Sequence, residues 1–360
     1  MKNRLGLLFG VQFLLLLTLL PACSENPAIA PKQSLFDNSN SEGASVTAGA
    51  PLFFPGDHAA HPEYQLEWWY LTFVLEDENN NAYAAQYTLF RFLGSNTESS
   101  WSSPHLFMAH AALHSQHTQA FSERFARGGV GNAGITTAPF SAFLDDWLWQ
   151  SQSENLFPST LIMKINDAAS LSLTMRNTGP LVLHGQDGYS EKSVDGRFRS
   201  YYYSQPFIEV SGELQLDERT VSVKGKGWFD HEWTSELANE EALGWDWFSL
   251  HLDNGDKVMA FRMHVDDKPP HITGTYITPD GTVRTLPASA FSLTPVKTTV
   301  LDGNTFPLQW RMTIPEEGID VSLRPFKTDQ LNRGRFTYYE GRIEISGSHT
   351  GAGFMELTGY

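Results

Sequence analysis

The stretch Trp228-Phe229-Asp230-His231-Glu232-Trp233 sets one imidazole between two carboxylates and flanks them with indoles. Its continuation to His251 adds Trp245, Asp246 and Trp247. A histidine beside carboxylates can have its pKa raised and can move protons as a general acid or base. Aromatic surfaces next to such groups suit a pocket that holds an apolar ligand and orients it by a few polar contacts. Asp230, His231 and Glu232 are therefore the catalytic candidates. Geometry sets a condition on them. In an extended strand side chains alternate, so Asp230 and Glu232 face one side while Phe229, His231 and Trp233 face the other. Immediate neighbours form a dyad only across a tight turn or bulge.

Other chemistries have less support. The pair His231-Glu232 has no second histidine at the zinc-protease spacing. His105, His110, His114 and His117 cluster in sequence. On one strand, however, His110 and His114 stand about 13 Å apart, too far for one ion with ligand bonds of roughly 2 Å. No metal is expected, and no cofactor. There is no G-x-S-x-G elbow. Arg127-Gly128-Gly129-Val130-Gly131 lacks the lysine and the strand–helix setting of a phosphate loop. The lone cysteine, Cys23, excludes an internal disulfide and a cysteine zinc site.

The elements that must carry these residues begin after an export signal. Lys2 and Arg4 precede an apolar run, Leu5 to Leu20, closed by Leu20-Pro21-Ala22-Cys23. That pattern predicts a signal peptide over 1–22 and lipidation of Cys23. Ser24 follows, and by resemblance to lipoprotein sorting the absence of Asp there favours the periplasmic face of the outer membrane. Residues 23–50 read as the lipidated cysteine and a flexible tether. Net charge is −16, or −18 without Lys2 and Arg4, which disfavours phosphate backbones and hence nucleic acid. Hydrophobic residues at 41 % supply ample core for two domains.

From Pro51 short alternating segments are separated by Asp-Gly and Asn-Gly pairs, the pattern of an all-β chain of many strands. One short helix is expected at Glu236–Leu243, capped by Thr234 or Ser235 and ended by Gly244. A repeat organises the whole. Glu67–Glu76 aligns without a gap on Gly244–Asp253, and each unit continues into a second strand with an arginine, Arg91 or Arg262. Two related β domains follow, 51–236 and 237–360. Trp68, Tyr70, Thr72 and Val74 share one strand face, and Trp245, Trp247, Ser249 and His251 the matching one. Which face lines a lumen is left open.

Several motifs then fall in a family's order: Glu67-Trp68-Trp69-Tyr70, His110-Ala111-Ala112-Leu113, Asp146-Trp147, Tyr202-Tyr203-Ser204, Trp228–Trp233, and the ending Tyr339-Glu340-Gly341 with Glu356–Tyr360. The chain resembles the lipocalin-like family of carotenoid 1,2-hydratases and AttH-like secreted proteins, and Gly244–Phe248 looks more like the AttH-like branch, also labelled predicted secreted hydrolases, than the carotenoid enzymes. The resemblance implies two lipocalin-like β-barrels in tandem. It implies catalytic roles for a His and a Trp matching His231 and Trp233, with a Tyr and an acidic Asp on the following strand. Lys257–His264 has neither, so Asp230, Glu232 or Asp246 would have to supply the acid. Trp68, Tyr70, His110, Tyr202, Trp245, Asp246 and Trp247 are the expected ligand-binding residues. AttH-like proteins accompany ABC-type exporters. The expected function is an envelope-anchored lipoprotein that binds a hydrophobic or amphipathic small molecule, accessory to such an exporter. The alternative is a cofactor-independent hydratase, lyase or isomerase with His231 and a carboxylate in proton transfer.

Overall fold

Alternation of apolar and polar residues gives Ser159–Asn166 and Ala169–Asn177 one buried and one freer face, whereas Leu66–Glu76, His105–Ser115 and the end of Arg219–Thr234 are buried on both. The computed structural model describes residues 43–94, 103–216, 219–237, 242–265 and 269–360. The signal and Cys23 lie outside the described residues. Two sheets result. In the first, Leu66–Glu76, Ala82–Leu93, His105–Ser115 and Gln119–Arg127 form a meander. Five strands from Ala133–Thr137 to Ala169–Asn177 form another. The long strands Arg199–Leu216 and Arg219–Thr234 join them, pairing with Ala169–Asn177 and Leu66–Glu76 respectively. The sheet curls until Arg124 of one edge strand donates to the Lys164 carbonyl at 2.9 Å.

The second sheet repeats the plan. Ala242–Leu252 opens a meander through Lys257–Val265, His271–Ile277 and Val283–Pro287. Its other flank pairs with the closing strand Gly351–Leu357, as Leu66–Glu76 pairs with Arg219–Thr234. The aligned strands of the sequence repeat thus occupy the same place in both sheets.

Each curled sheet encloses its own core. Trp69, Leu71, Phe73 and Leu75 point into the first, with Trp147, Trp149 and Phe229. Phe248, Leu250 and Leu252 point into the second, with Trp310 and Tyr339. The lumens are filled by these side chains. The other strand faces meet between the two sheets, where Tyr70, Val74, Tyr202, Trp228, Trp247, Phe261 and Phe354 form a third apolar cluster. This interface buries aromatic area, and at roughly 25 cal/mol per Å² of apolar surface it holds the two halves together.

The junction departs from expectation. No helix forms at Ser235–Leu237, which is a bend; residues 238–241 lie outside the described residues, and the next strand starts at Ala242. The helical elements among the described residues are the 3₁₀ turns Gly56–His58 and Pro315–Glu317. The capping residues are used otherwise. Thr234 Oγ1 donates to the Arg199 carbonyl at 2.6 Å and accepts from the Glu236 backbone N–H at 2.9 Å, a local turn that competes with a helix start. The Glu236 carboxylate accepts the backbone N–H of Val46 at 3.1 Å, tying down the segment before the first strand. Gly244, at φ +146°, lies at a register shift, and a Cβ there would meet the Thr358 carbonyl at 2.4 Å. Such a bulge re-aims the residues that follow, here Trp245 and Trp247.

Candidate active site

The strand Arg219–Thr234 carries all four catalytic candidates and divides them. Trp69 pairs with His231 and Tyr70 with Asp230, so neighbours alternate between the barrel interior and the domain interface. His231 and Trp233 face the mouth of the first barrel. Asp230 and Glu232 face the second domain. The strand holds no turn that would bring them together.

At the barrel mouth the centre is Glu67, fully buried. Its carboxylate accepts from His231 Nε2 at 2.9 Å, His61 Nδ1 at 2.7 Å, Arg91 Nε at 2.8 Å and the His61 backbone N–H at 2.9 Å. With Nε2 donating, His231 Nδ1 accepts from the Tyr203 hydroxyl at 3.1 Å, and His58 Nδ1 lies 2.6 Å from that hydroxyl. Trp69 stacks on His231 with ring centres 4.6 Å apart, and Trp233 stacks on His61 at 3.8 Å. Burial alone would raise the Glu67 pKa, but hydrogen bonds from His231 and His61 and the charge of Arg91 outweigh it and hold the carboxyl well below its usual range. His61 is opposed by burial yet raised to about 9 by its bonds to Asp57 and Glu67. Burial lowers His231 to about 4, so it stays neutral. Ligand atoms of His61, Glu67 and His231 lie within 4.8 Å of one another, a metal-capable set by type. The Glu67 oxygens are already saturated by four donors, one of them a guanidinium, so the set reads as an ion-pair network. The second barrel has a counterpart: Asp246 meets His264 Nε2 at 3.1 Å, Arg262 Nη1 at 3.5 Å and the Tyr360 hydroxyl at 2.6 Å.

On the opposite face a cavity of about 50 Å³ lies between the domains. Trp68, Tyr70 and Phe90 wall it from the first domain, and Trp245, Trp247 and Phe261 from the second. Asp230, Glu232, Tyr202 and Glu356 also line it. Asp230 accepts from Tyr202 Oη at 2.8 Å, from Trp228 Nε1 at 2.6 Å and from Ser204 Oγ. Trp247 Nε1 donates to Tyr202 Oη at 3.1 Å. Glu232 pairs with the buried Lys192 at 3.0 Å, whose ammonium also lies 4.4 Å above the Tyr202 ring. Tyr70 donates to Glu340, which also accepts from Asn332 Nδ2 at 2.9 Å.

These acids are pushed toward the neutral form. Burial raises Asp230 to about 7 against its three donors, helped by the nearby Glu232 charge. Burial likewise raises Glu340 to about 7. Glu356 goes well above the usual range through burial and the neighbouring carboxyls Glu340, Asp230 and Glu232. It keeps some accessible surface because it opens on the cavity. Neutral carboxylic acids among aromatic faces can donate a proton to an apolar ligand.

The expected ligand residues Trp68, Tyr70, Tyr202, Trp245 and Trp247 thus gather here, with Asp230 and Glu232. Asp246 sits in the second barrel's mouth instead. His110 stands one layer back, between Tyr338 Oη at 2.9 Å and Glu123 Oε1 at 3.1 Å. His231 and Trp233 do not reach the cavity. The sequence reading overlooked Glu67 as an acid, and with it His61, Lys192, Glu340 and Glu356. Glu67 and Arg91 face each other in the first hairpin's register, a signal that was available.

An all-β chain of two curled sheets with an acid-lined cavity between them defines the class. The chain belongs to the AttH-like family, which matches residues 45–360. A Nitrosomonas europaea protein described as an AttH shares 28% sequence identity and superposes with a TM-score of 0.79, covering 88% of this chain and 99% of its own. Kievitone hydratase from Nectria haematococca, at 20% identity and TM-score 0.67, shares the fold over 90% of this chain and 97% of its own. No curated protein matches the sequence.

Proposed function

We propose that this protein binds an unsaturated apolar small molecule in the interdomain cavity and hydrates it, as a cofactor-independent hydratase-type lyase. The observation that carries the reading is the meeting of neutral carboxylic acids and aromatic walls at one cavity. Glu356 donates its proton to one carbon of a C=C bond. The cation that forms on the other carbon is stabilised by the faces of Trp68, Trp245 and Trp247. Water adds to that carbon and loses a proton to the Glu356 carboxylate, which restores the acid. Asp230, through Tyr202 and Trp247, fixes the wall opposite. Kievitone hydratase, a neighbour in fold, is a hydratase by name, which agrees with this chemistry. At about 50 Å³ the closed cavity has room for water alone, so ligand entry requires the indole walls to part.

The test is incubation of the full chain with geraniol, squalene and lycopene in D2O, reading deuterium at carbon in the alcohol product. Glu356→Gln is expected to abolish product while native mass spectrometry still finds the ligand bound. His231→Ala in a folded sample is expected to keep turnover, and its loss there would return the imidazole to the mechanism. A second reading, a binding module beside an ABC-type exporter, draws on the enclosed aromatic cavity. A co-purifying apolar ligand without turnover of any probe favours it. Both readings include the lipoprotein anchor, tested by loss of labelled palmitate in Cys23→Ala.

A further inference from the structure

Four strands cross the domain interface from the cavity to a large outer groove. On each, alternate residues of one face make the passage: Trp247, Ser249 and His251; Tyr70, Thr72 and Val74; Glu356, Phe354 and Ala352; Asp230, Trp228 and Lys226. The first of each triplet lines the cavity and the last lines the groove, whose volume is about 810 Å³. At roughly 3.3 Å per residue the two ends stand about 13 Å apart.

Between them lie buried polar groups without a protein partner. Ser249 Oγ has none, and Ser249 is fully buried. His251 is 3 % exposed, borders the groove, and its Nδ1 has none. Gln86, paired across the sheet with Thr72, is fully buried and leaves Oε1 unmatched, while its Nε2 donates to Thr88, a cavity residue. Native proteins rarely leave such groups dry; where protein supplies no partner, ordered water does. Ser249 and His251 follow Trp247 along one strand face, and Gln86 joins the seam through its pairing with Thr72, so unpartnered polar groups mark the way from groove to cavity, the arrangement a file of water molecules needs. Apolar Phe354 and Trp228 flank it, so the path is narrow.

We propose that Ser249, His251 and Gln86 line a water passage that feeds the cavity from the outer groove. The inference rests on the hydratase reading, in which each turnover consumes one water: its oxygen bonds to carbon and one of its protons goes to the Glu356 carboxylate. A passage that admits water singly also keeps bulk solvent from the cation.

Oxygen-17 magnetic relaxation dispersion on the full chain counts long-lived internal waters. The wild type is expected to lose at least two of them in the double variant Ser249→Val, Gln86→Leu. Its turnover of the hydrated probe is expected to fall by about tenfold or more, with KM unchanged, as for a step after binding. If the double variant does not fold, Ser249→Ala alone is expected to lose one such water. An unchanged water count overturns the passage whatever the turnover. Loss of the waters with undiminished turnover overturns its role in supply. Waters that vanish in the variant of a protein turning over none of the probes support the passage and count against the hydratase reading alone.

Discussion

The two faces of Arg219–Thr234 bury acids in opposite states. Glu67, at the barrel mouth, is ionised; Asp230 and Glu356, at the cavity, are pushed toward the neutral form. Burial is near complete for Glu67 and for Asp230, and so does not decide between them. Donor number does not decide either, since Asp230 accepts three hydrogen bonds. The difference is which groups face each acid: hydrogen bonds from His231 and His61, and then a formal cation, hold Glu67 ionised. Glu67 has Arg91 at 2.8 Å, whereas Asp230 has the like charge of Glu232, whose own cation is Lys192. The mouth network also recurs: Asp246, Arg262, His264 and Tyr360 reproduce acid, arginine, histidine and tyrosine in the second barrel. What is duplicated belongs to the barrel. What occurs once, at the junction, is where the proposed function is placed.

The largest expected effect breaks the mouth. Glu67→Ala strands Arg91 and a protonated His61 in the interior, and removing one partner of a buried ion pair costs about 3–5 kcal/mol. Glu356→Gln keeps shape and replaces a neutral acid by a neutral amide, so it should cost less than about 1 kcal/mol. Urea unfolding of both variants measures the contrast. Equal losses would erase the distinction between a structural and a functional site.

Much of this division was legible in the residues. The alternation through Phe229–Trp233 separates His231 from Asp230 and Glu232 in the chain exactly as strands must, and the aligned Trp-rich strands announce two barrels. The acids at the cavity were not legible. Glu356 stands beside Trp247 because the closing strand pairs with the opening one, a register set by contacts more than a hundred residues apart in sequence. Tyr70 meets Glu340 across 270 residues. The helix at Glu236 failed for a local reason: the Thr, Ser and Glu that cap helices equally well close a bend, and here a segment from the N-terminal side competes for Glu236. Asp246 looked like a pocket residue because it lies between two cavity tryptophans, yet alternation alone turns it into the lumen, beside Arg262.

Stability against pH sharpens the comparison next. Asp230 and Glu340 have folded pKa values near 7, above their unfolded values near 4. Their stabilising contribution is complete below pH 4 and is lost as pH rises through 7. Glu67 is depressed, so its contribution is present above its unfolded pKa near 4.5 and is lost as pH falls. His61, raised to about 9, contributes fully below pH 6.5 and loses that contribution as pH rises through 9. Asp230→Asn should therefore flatten the decline between pH 4 and 7, and Glu67→Gln should flatten the acid limb. Chemical denaturation at closely spaced pH values reads both slopes; a steeper decline in Asp230→Asn contradicts the neutral assignment.

The smallest effect comes from two adjacent phenols. Tyr203 bridges His58 and His231 at the mouth, so Tyr203→Phe leaves two buried ring nitrogens without that partner and should cost about 1–2 kcal/mol. Both histidines are pushed low by burial, so neither gains a charge near neutral pH, and the pH profile of turnover should stay in place. Tyr202 faces the other way and donates to Asp230. Tyr202→Phe removes a bond that favours the charged carboxylate, which raises the Asp230 pKa further; a neutral Asp230 no longer pushes Glu356 up, so the turnover profile moves to lower pH. One residue step along the strand thus separates a stability change from a change in profile. A shifted profile in Tyr203→Phe, or an unshifted one in Tyr202→Phe, would place the working acid away from the cavity.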